Sequence, residues 1–151
     1  MKTGAEIRPL TIDHFSTWLP LWLGFLKFYK KDLSESHNKL VFERITGTGD
    51  HSGFGLWKND MMIGFVHYMP MQSTWEPELT VYLEDLFVNE DARGTGGGRL
   101  LIEAVEKAAH ALGATNVYWH TENYSDRARQ LYDKLAVLTD YVRYDLAISS
   151  T

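Results

Sequence analysis

Leu83-Glu84-Asp85-Leu86-Phe87-Val88-Asn89-Glu90-Asp91-Ala92-Arg93-Gly94-Thr95-Gly96-Gly97-Gly98-Arg99-Leu100-Leu101 is the stretch on which the fold turns. It reads as the end of a strand covering Leu79 to Val88, then a short turn, a run of glycines, and a helix from about Gly96 to Leu112. Leu100, Leu101, Ala104, Val105 and Ala108 recur at helical spacing and make one apolar stripe. Gly113 is placed to close that helix. Four glycines within five residues at a strand-to-helix turn let a backbone approach a ligand closely. The free N–H groups and positive dipole end of the helix then favour a phosphate. Arg93 adds a charge-assisted donor.

Three phosphate loops compete for this segment. A Walker A loop requires Gly-Lys-Ser/Thr at its end, which is absent. A dinucleotide fingerprint requires Gly-x-Gly-x-x-Gly; Gly94 and Gly96 begin it, but Arg99 occupies the third glycine position and no acid is placed downstream. The pyrophosphate loop of acetyl-CoA enzymes, Arg/Gln-x-x-Gly-x-Gly/Ala, is met by Arg93, Gly96 and Gly98. A flexible turn without a ligand is the remaining alternative, since short glycine patterns arise by chance.

Outward from this stretch the chain alternates strands and helices. Glu6 to Leu10 reads as a first strand, and Thr11 caps a helix to about Lys31, kinked at Pro20. Phe15, Trp18, Leu19, Trp22, Leu26 and Tyr29 lie along one side of it. A second helix covers about Ser36 to Ile45, and a glycine-rich loop follows. Phe54–Trp57 and Met61–Met69 are expected to pair through a turn at Lys58-Asn59-Asp60. Val117 to Thr121 reads as a strand, Ser125 to Leu135 as a helix and Tyr141 to Ile148 as a last strand. This order specifies an α/β or α+β sheet domain with about four helices.

Composition bounds the function. The 151 residues, 44% hydrophobic and 13% aromatic, are enough for one domain, residues 1–151, with its own core. A net charge of -5 argues against nucleic acid as a partner. No apolar run approaches a membrane span and no secretion signal is evident, so a cytoplasmic protein without membrane contact is expected. The absence of cysteine removes disulfides and a thiolate nucleophile. His14, His37, His51, His67, His110 and His120 show no zinc-ligand spacing, so no metal is expected and structural or surface roles are read for them.

Tyr82-Leu83-Glu84-Asp85-Leu86-Phe87-Val88, the Arg93 loop, and Ala128-Arg129-Gln130-Leu131-Tyr132 resemble successive motifs of the GNAT superfamily of N-acetyltransferases. The spacing between them matches as well, and the resemblance runs from about Ile7 to Leu146. Thr74-Trp75, the strand Val117-Tyr118-Trp119-His120-Thr121 and the aromatic first helix are most similar to the small histone- and polyamine-acetyltransferase-like subgroup. The resemblance implies a mixed, largely antiparallel sheet splayed where two parallel strands separate. It implies acetyl-CoA as co-substrate, its pantetheine arm pairing with Leu86, Phe87 and Val88, and its pyrophosphate held by Arg93, Gly94, Thr95, Gly96, Gly97, Gly98 and Arg99. Ser125 stands where many members have an asparagine near the cofactor arm, and Ala136 stands where a glycine is usual.

By family position, Tyr132 would protonate the departing sulfur, and Glu84 would serve as base or amine anchor. Glu84 and Asp85 are neighbours on a strand, so they are expected on opposite faces, with only one in the cleft. Arginines such as Arg93 or Arg127 are the alternative partners for them. Trp75, by cation–π attraction, together with Asp85 and His120, is a candidate for holding the amine. Two functions remain in view: direct acetyl transfer to a polyamine-like small amine or a lysine side chain, and a non-catalytic acyl-CoA sensor on the same fold. A homodimer is also implied, in which Tyr141 to Leu146 could pair across a two-fold axis.

Overall fold

The two-residue turn Asn59-Asp60, with φ of 53° and 62°, organises the middle of the sheet. Both residues occupy the left-handed region that Asn and Asp tolerate, which matches the twist of a tight hairpin. It joins β2 (Ser52–Lys58) to β3 (Met61–Met71). The computed structural model describes residues 4–47, 49–92 and 96–149. Residues 1–120 and 121–151 form two compact units.

In the first unit, β1 (Ala5–Pro9), β2, β3, β4 (Thr80–Val88) and β5 (Val117–Tyr118) lie side by side in that order. The first four are antiparallel, and β5 runs parallel to β4. The sheet is therefore mixed and mainly antiparallel, as expected. Its fifth strand is shorter than the sequence predicts: the ladder stops at Tyr82 opposite Tyr118, while β4 continues to Val88.

Helices cover both faces. Gly64 and Phe65 point to opposite sides of β3. Phe65 is fully buried in a cluster with Trp18, Leu21, Trp22 and Leu26 of α1 (Phe15–Phe28) and with Phe42 and Ile45 of α2 (Glu35–Thr46). On the other side Leu101 of α3 (Gly97–Ala111) lies against Gly64, and Leu56 against Gly97. Trp18 and Trp22, four apart, stack at 5.3 Å and 13°. Trp22 Nε1 donates to Asn38 Oδ1 at 2.9 Å, which ties α2 to α1.

The helix ends follow local chemistry. A short 3₁₀ turn at Ile12–His14 precedes α1, with the Thr11 N–H donating to His14 Nδ1 at 3.0 Å. The first helix ends three residues before the predicted Lys31, because Lys30 turns to φ 55° and the Lys31 N–H reaches back to the Leu26 carbonyl. Ser34 Oγ caps α2 by accepting from the His37 N–H. Gly113, at φ 73°, closes α3: its N–H donates to His110 O and that of Ala114 to Ala109 O. Among the described residues no helix is long and apolar enough to cross a membrane.

The second unit contains α4 (Asp126–Leu135), with Ser125 at its N-cap position. The expected strand over Tyr141–Ile148 is not formed. Strand backbone needs a neighbour for its N–H and C=O groups, and among the described residues this segment joins no ladder. Val137, Leu138, Tyr141, Val142, Tyr144, Leu146 and Ile148 are exposed.

Candidate active site

The register of β4 against β3 sets the site. His67 lies opposite Asp85, but Tyr68 lies opposite Leu83, so Glu84 is an extra residue in β4. Such a bulge breaks the alternation of faces and re-aims the side chains around it. His67 and Phe65 share the α1 face, and so does Asp85, the cross-strand partner of His67. The expectation that Glu84 and Asp85 face opposite sides therefore loses its basis, because strict alternation does not survive the extra residue.

Each carboxylate is held by a histidine, where arginines were the alternative foreseen. His67 Nδ1 is 2.9 Å from Asp85 Oδ2, and His51 Nε2 is 3.2 Å from Glu84 Oε2. The pairs differ in burial. The His67 side chain is 1% exposed and that of Asp85 19%, against 25% and 41% for His51 and Glu84. Trp18 Nε1 also donates to His67 Nε2 at 3.0 Å. An indole N–H can only donate, so His67 Nε2 carries no proton and Nδ1–H donates to Asp85.

Tyr82 lies opposite Met69, which puts it on the Asp85 side of the sheet. Its ring stacks on Tyr118 at 5.1 Å, and His120 meets it edge-on at 5.6 Å. His120 Nδ1 is 3.4 Å from the Tyr82 hydroxyl, too long for a strong hydrogen bond. His120 thus belongs to an aromatic group at the point where β4 and β5 part.

Beyond that point β4 runs through Leu86, Phe87 and Val88 toward α3. Phe87 packs edge-on against Phe25. Gly96 is the N-cap of α3 at φ 84°, and a Cβ there would meet nothing within 4 Å. Gly97 is buried, its would-be Cβ 2.7 Å from Leu56 Cδ2, so α3 starts hard against the sheet. Open space beside a left-handed N-cap fits an anionic group on the helix end. Arg99, in the first turn, pairs with Glu103 at 2.9 Å. Arg93, Gly94 and Thr95 lie outside the described residues.

The other candidates lie elsewhere. Trp75 is 83% exposed in the loop after β3, beside a groove of about 870 Å³ lined also by Met71, Thr74, Thr80, Asn116 and Tyr118. Neither Glu84 nor Asp85 lines that groove. In the second unit Ser125 Oγ donates to Glu122 Oε2 at 3.2 Å, and Tyr132 is half-buried on α4. No group of side chains able to hold a metal occurs among the described residues. His51 and His67, read from the sequence as structural or surface histidines, are the groups that meet the two carboxylates; the signal for His67 is its place inside the apolar run Gly64-Phe65-Val66-His67-Tyr68-Met69.

The family model for the acetyltransferase (GNAT) family matches residues 20–136. The chain belongs to the GNAT family. Among GNAT relatives, the D-amino-acid N-acetyltransferase HPA3 of Saccharomyces cerevisiae is 49% identical over 82 residues, covering 54% of this chain and 51% of that protein. The L-ornithine N5-acetyltransferase NATA1 of Arabidopsis thaliana is 33% identical over 78 residues, covering 51% and 34%. These matches span about half and about a third of those relatives' lengths. A ribosomal-protein-alanine N-acetyltransferase from Brucella melitensis superposes with a TM-score of 0.83 at 17% identity, covering 95% of this chain and 99% of that one. At that identity the likeness is one of GNAT fold.

Proposed function

We propose that the chain transfers the acetyl group of acetyl-CoA to a small primary amine, of the kind represented by ornithine or a free amino acid. The observation that carries this reading is the pair of carboxylates at the β4 bulge, beside the point where β4 and β5 part. The names of the relatives support the acceptor class. Acetyl-CoA supplies an activated thioester carbonyl. Backbone of Leu86, Phe87 and Val88 would hold its arm, and the start of α3 its pyrophosphate. An alkylammonium has no free electron pair, so a proton must leave before nitrogen can attack. Glu84, partly exposed and beside titratable His51, is suited to receive that proton. Tyr132 on α4 is the proposed donor to the sulfur as the C–S bond breaks. The chain has no cysteine to carry the acetyl group, which favours direct transfer.

The test is release of free CoA thiol with a panel of amines: ornithine, D- and L-amino acids, polyamines and a lysine peptide. Turnover confined to one amine class supports the reading. Acetyl-CoA binding with no turnover of any amine would instead identify an acyl-CoA sensor. We also propose that the exposed apolar residues between 137 and 148 find strand partners in a homodimer. A monomer by light scattering at micromolar concentration excludes it.

A further inference from the structure

The two histidine–carboxylate pairs differ in a way that divides their work. His67 is enclosed: Phe65 stacks on it at 4.6 Å, Trp22 lies at 5.6 Å, and across the β2–β3 ladder it faces Gly53, which has no side chain. Among the described residues Asp85, from β4, is the charged group that meets it; α1 presents Trp18 and Trp22, and Phe65 is uncharged. Nε2 accepts from Trp18 and Nδ1–H donates to Asp85, so both ring nitrogens are satisfied by the neutral ring. A second proton on Nε2 would point at the Trp18 N–H, donor against donor, in a site without water access. The Asp85 oxygen that accepts from Nδ1–H is in turn poorly placed to take a proton of its own.

We propose that Trp18 and His67 are positioning residues that hold the Asp85 carboxylate in one orientation at the β4 bulge, where it anchors the cationic acceptor. Glu84, more accessible than Asp85 and paired with a half-buried His51, is left as the carboxylate that exchanges protons. The chain Trp18 to His67 to Asp85 spans α1, β3 and β4, so the hydrophobic core itself sets the direction of a charged side chain. The anchoring role rests on the proposed transfer to an amine; the state of His67 does not.

The tests separate the two. Nitrogen-15 NMR of the wild-type protein without substrate reads the tautomer directly. His67 should show a protonated Nδ1 and an unprotonated Nε2 in the folded protein. An Nε2-protonated ring overturns the inference whatever the enzyme acetylates. The second arm is kinetic. His67→Asn places an amide N–H near the Nδ1 position and keeps a donor to Asp85; His67→Gln places its amide toward Trp18 and loses that donor. His67→Gln should raise the acceptor KM about tenfold or more, the scale of one hydrogen bond to a charged group, with kcat within about threefold. His67→Asn should restore most of that KM. Equal KM in both folded variants refutes the positioning role.

Trp18→Phe gives an independent reading. Without the indole donor, nothing fixes the Nε2 side of the ring, and the Nδ1–H is no longer held on Asp85. The variant's acceptor KM should therefore rise in the direction of His67→Gln, with kcat within about threefold. A folded variant with unaltered thermal unfolding and a wild-type acceptor KM would sink the proposal. Failure of every amine to turn over, with the NMR result as expected, removes the proposed function and leaves the Trp18–His67–Asp85 chain standing.

Discussion

Gly64→Ala tests how tightly β4, the strand proposed to hold the cofactor, is backed by the sheet. Gly64 lies opposite Val88 on β3, and a Cβ built there falls 2.8 Å from the Phe87 carbonyl oxygen and 3.4 Å from both Val88 Cα and Leu101 Cδ1. A comfortable carbon–oxygen approach is about 3.3 Å or more, so the strands must part by about half an ångström. The obstacle is backbone, which cannot rotate away. Removing glycine from a strand is by itself stabilising by about 0.5–1 kcal/mol. Overpacking of this kind costs about 1–3 kcal/mol. The net expectation is a loss of about 1–2 kcal/mol, or a fall in Tm of about 2–8 °C. Because Phe87 belongs to the segment proposed to pair with acetyl-CoA, affinity should fall about fivefold, the worth of one neutral hydrogen bond. Calorimetric titration and thermal unfolding measure both. Gly96→Ala is the comparison: nothing lies within 4 Å of its Cβ, so only the φ of 84° is penalised, at about 1–2 kcal/mol. A Gly64→Ala protein with wild-type Tm and wild-type acetyl-CoA affinity refutes the close approach inferred here.

Glu84→Gln keeps shape and removes the proton acceptor; turnover should fall, and its pH profile should move to higher pH where more amine is already neutral, whereas an unchanged profile rules Glu84 out as base. Tyr132→Phe should leave acetyl-CoA affinity within a few fold and lower single-turnover transfer about 10²-fold, and equal transfer by the variant means the sulfur is protonated by another group. Burial raises the pKa of Tyr68, an effect its hydrogen bond with Ser52 only partly offsets. The folded chain therefore holds that proton more tightly than the unfolded chain. The contribution is fully present below the ordinary tyrosine pKa of about 10 and is lost as pH rises through the folded value. Tyr68→Phe should flatten the alkaline fall in stability, and denaturant titrations at rising pH that remain parallel to wild type would contradict this.

The sheet was legible because its signals are local. Asn59-Asp60 announces a hairpin, Gly113 a helix end, and the stripe from Leu100 to Ala108 a buried helix face. The length of β5 was not, since only the parting of β4 from β5 after Tyr82 ends it, and that is a tertiary event. The strand expected from Tyr141 to Ile148 has the right alternation but joins no ladder among the described residues, and alternation describes a face without supplying a neighbour. At the site, Glu84 and Asp85 were visible as adjacent acids, but their directions depend on a bulge that no spacing rule signals. His67 was legible only as a structural or surface histidine, because its partners Trp18 and Asp85 are 49 and 18 residues away.

The stacked indoles of Trp18 and Trp22 also make the core visible to light. Two indoles packed face to face 5.3 Å apart keep a fixed asymmetric surrounding only while the packing holds, so the near-ultraviolet circular dichroism should carry a band that disappears when tertiary order is lost. Trp75, by contrast, stands 83% in solvent, where a water-soluble quencher reaches it at once. Quenching should thus silence Trp75 first and leave the buried Trp18 and Trp22 emitting, with half-buried Trp119 between them. One spectrum then follows the packing around His67 while the other follows the groove beside Trp75, with no label attached to either.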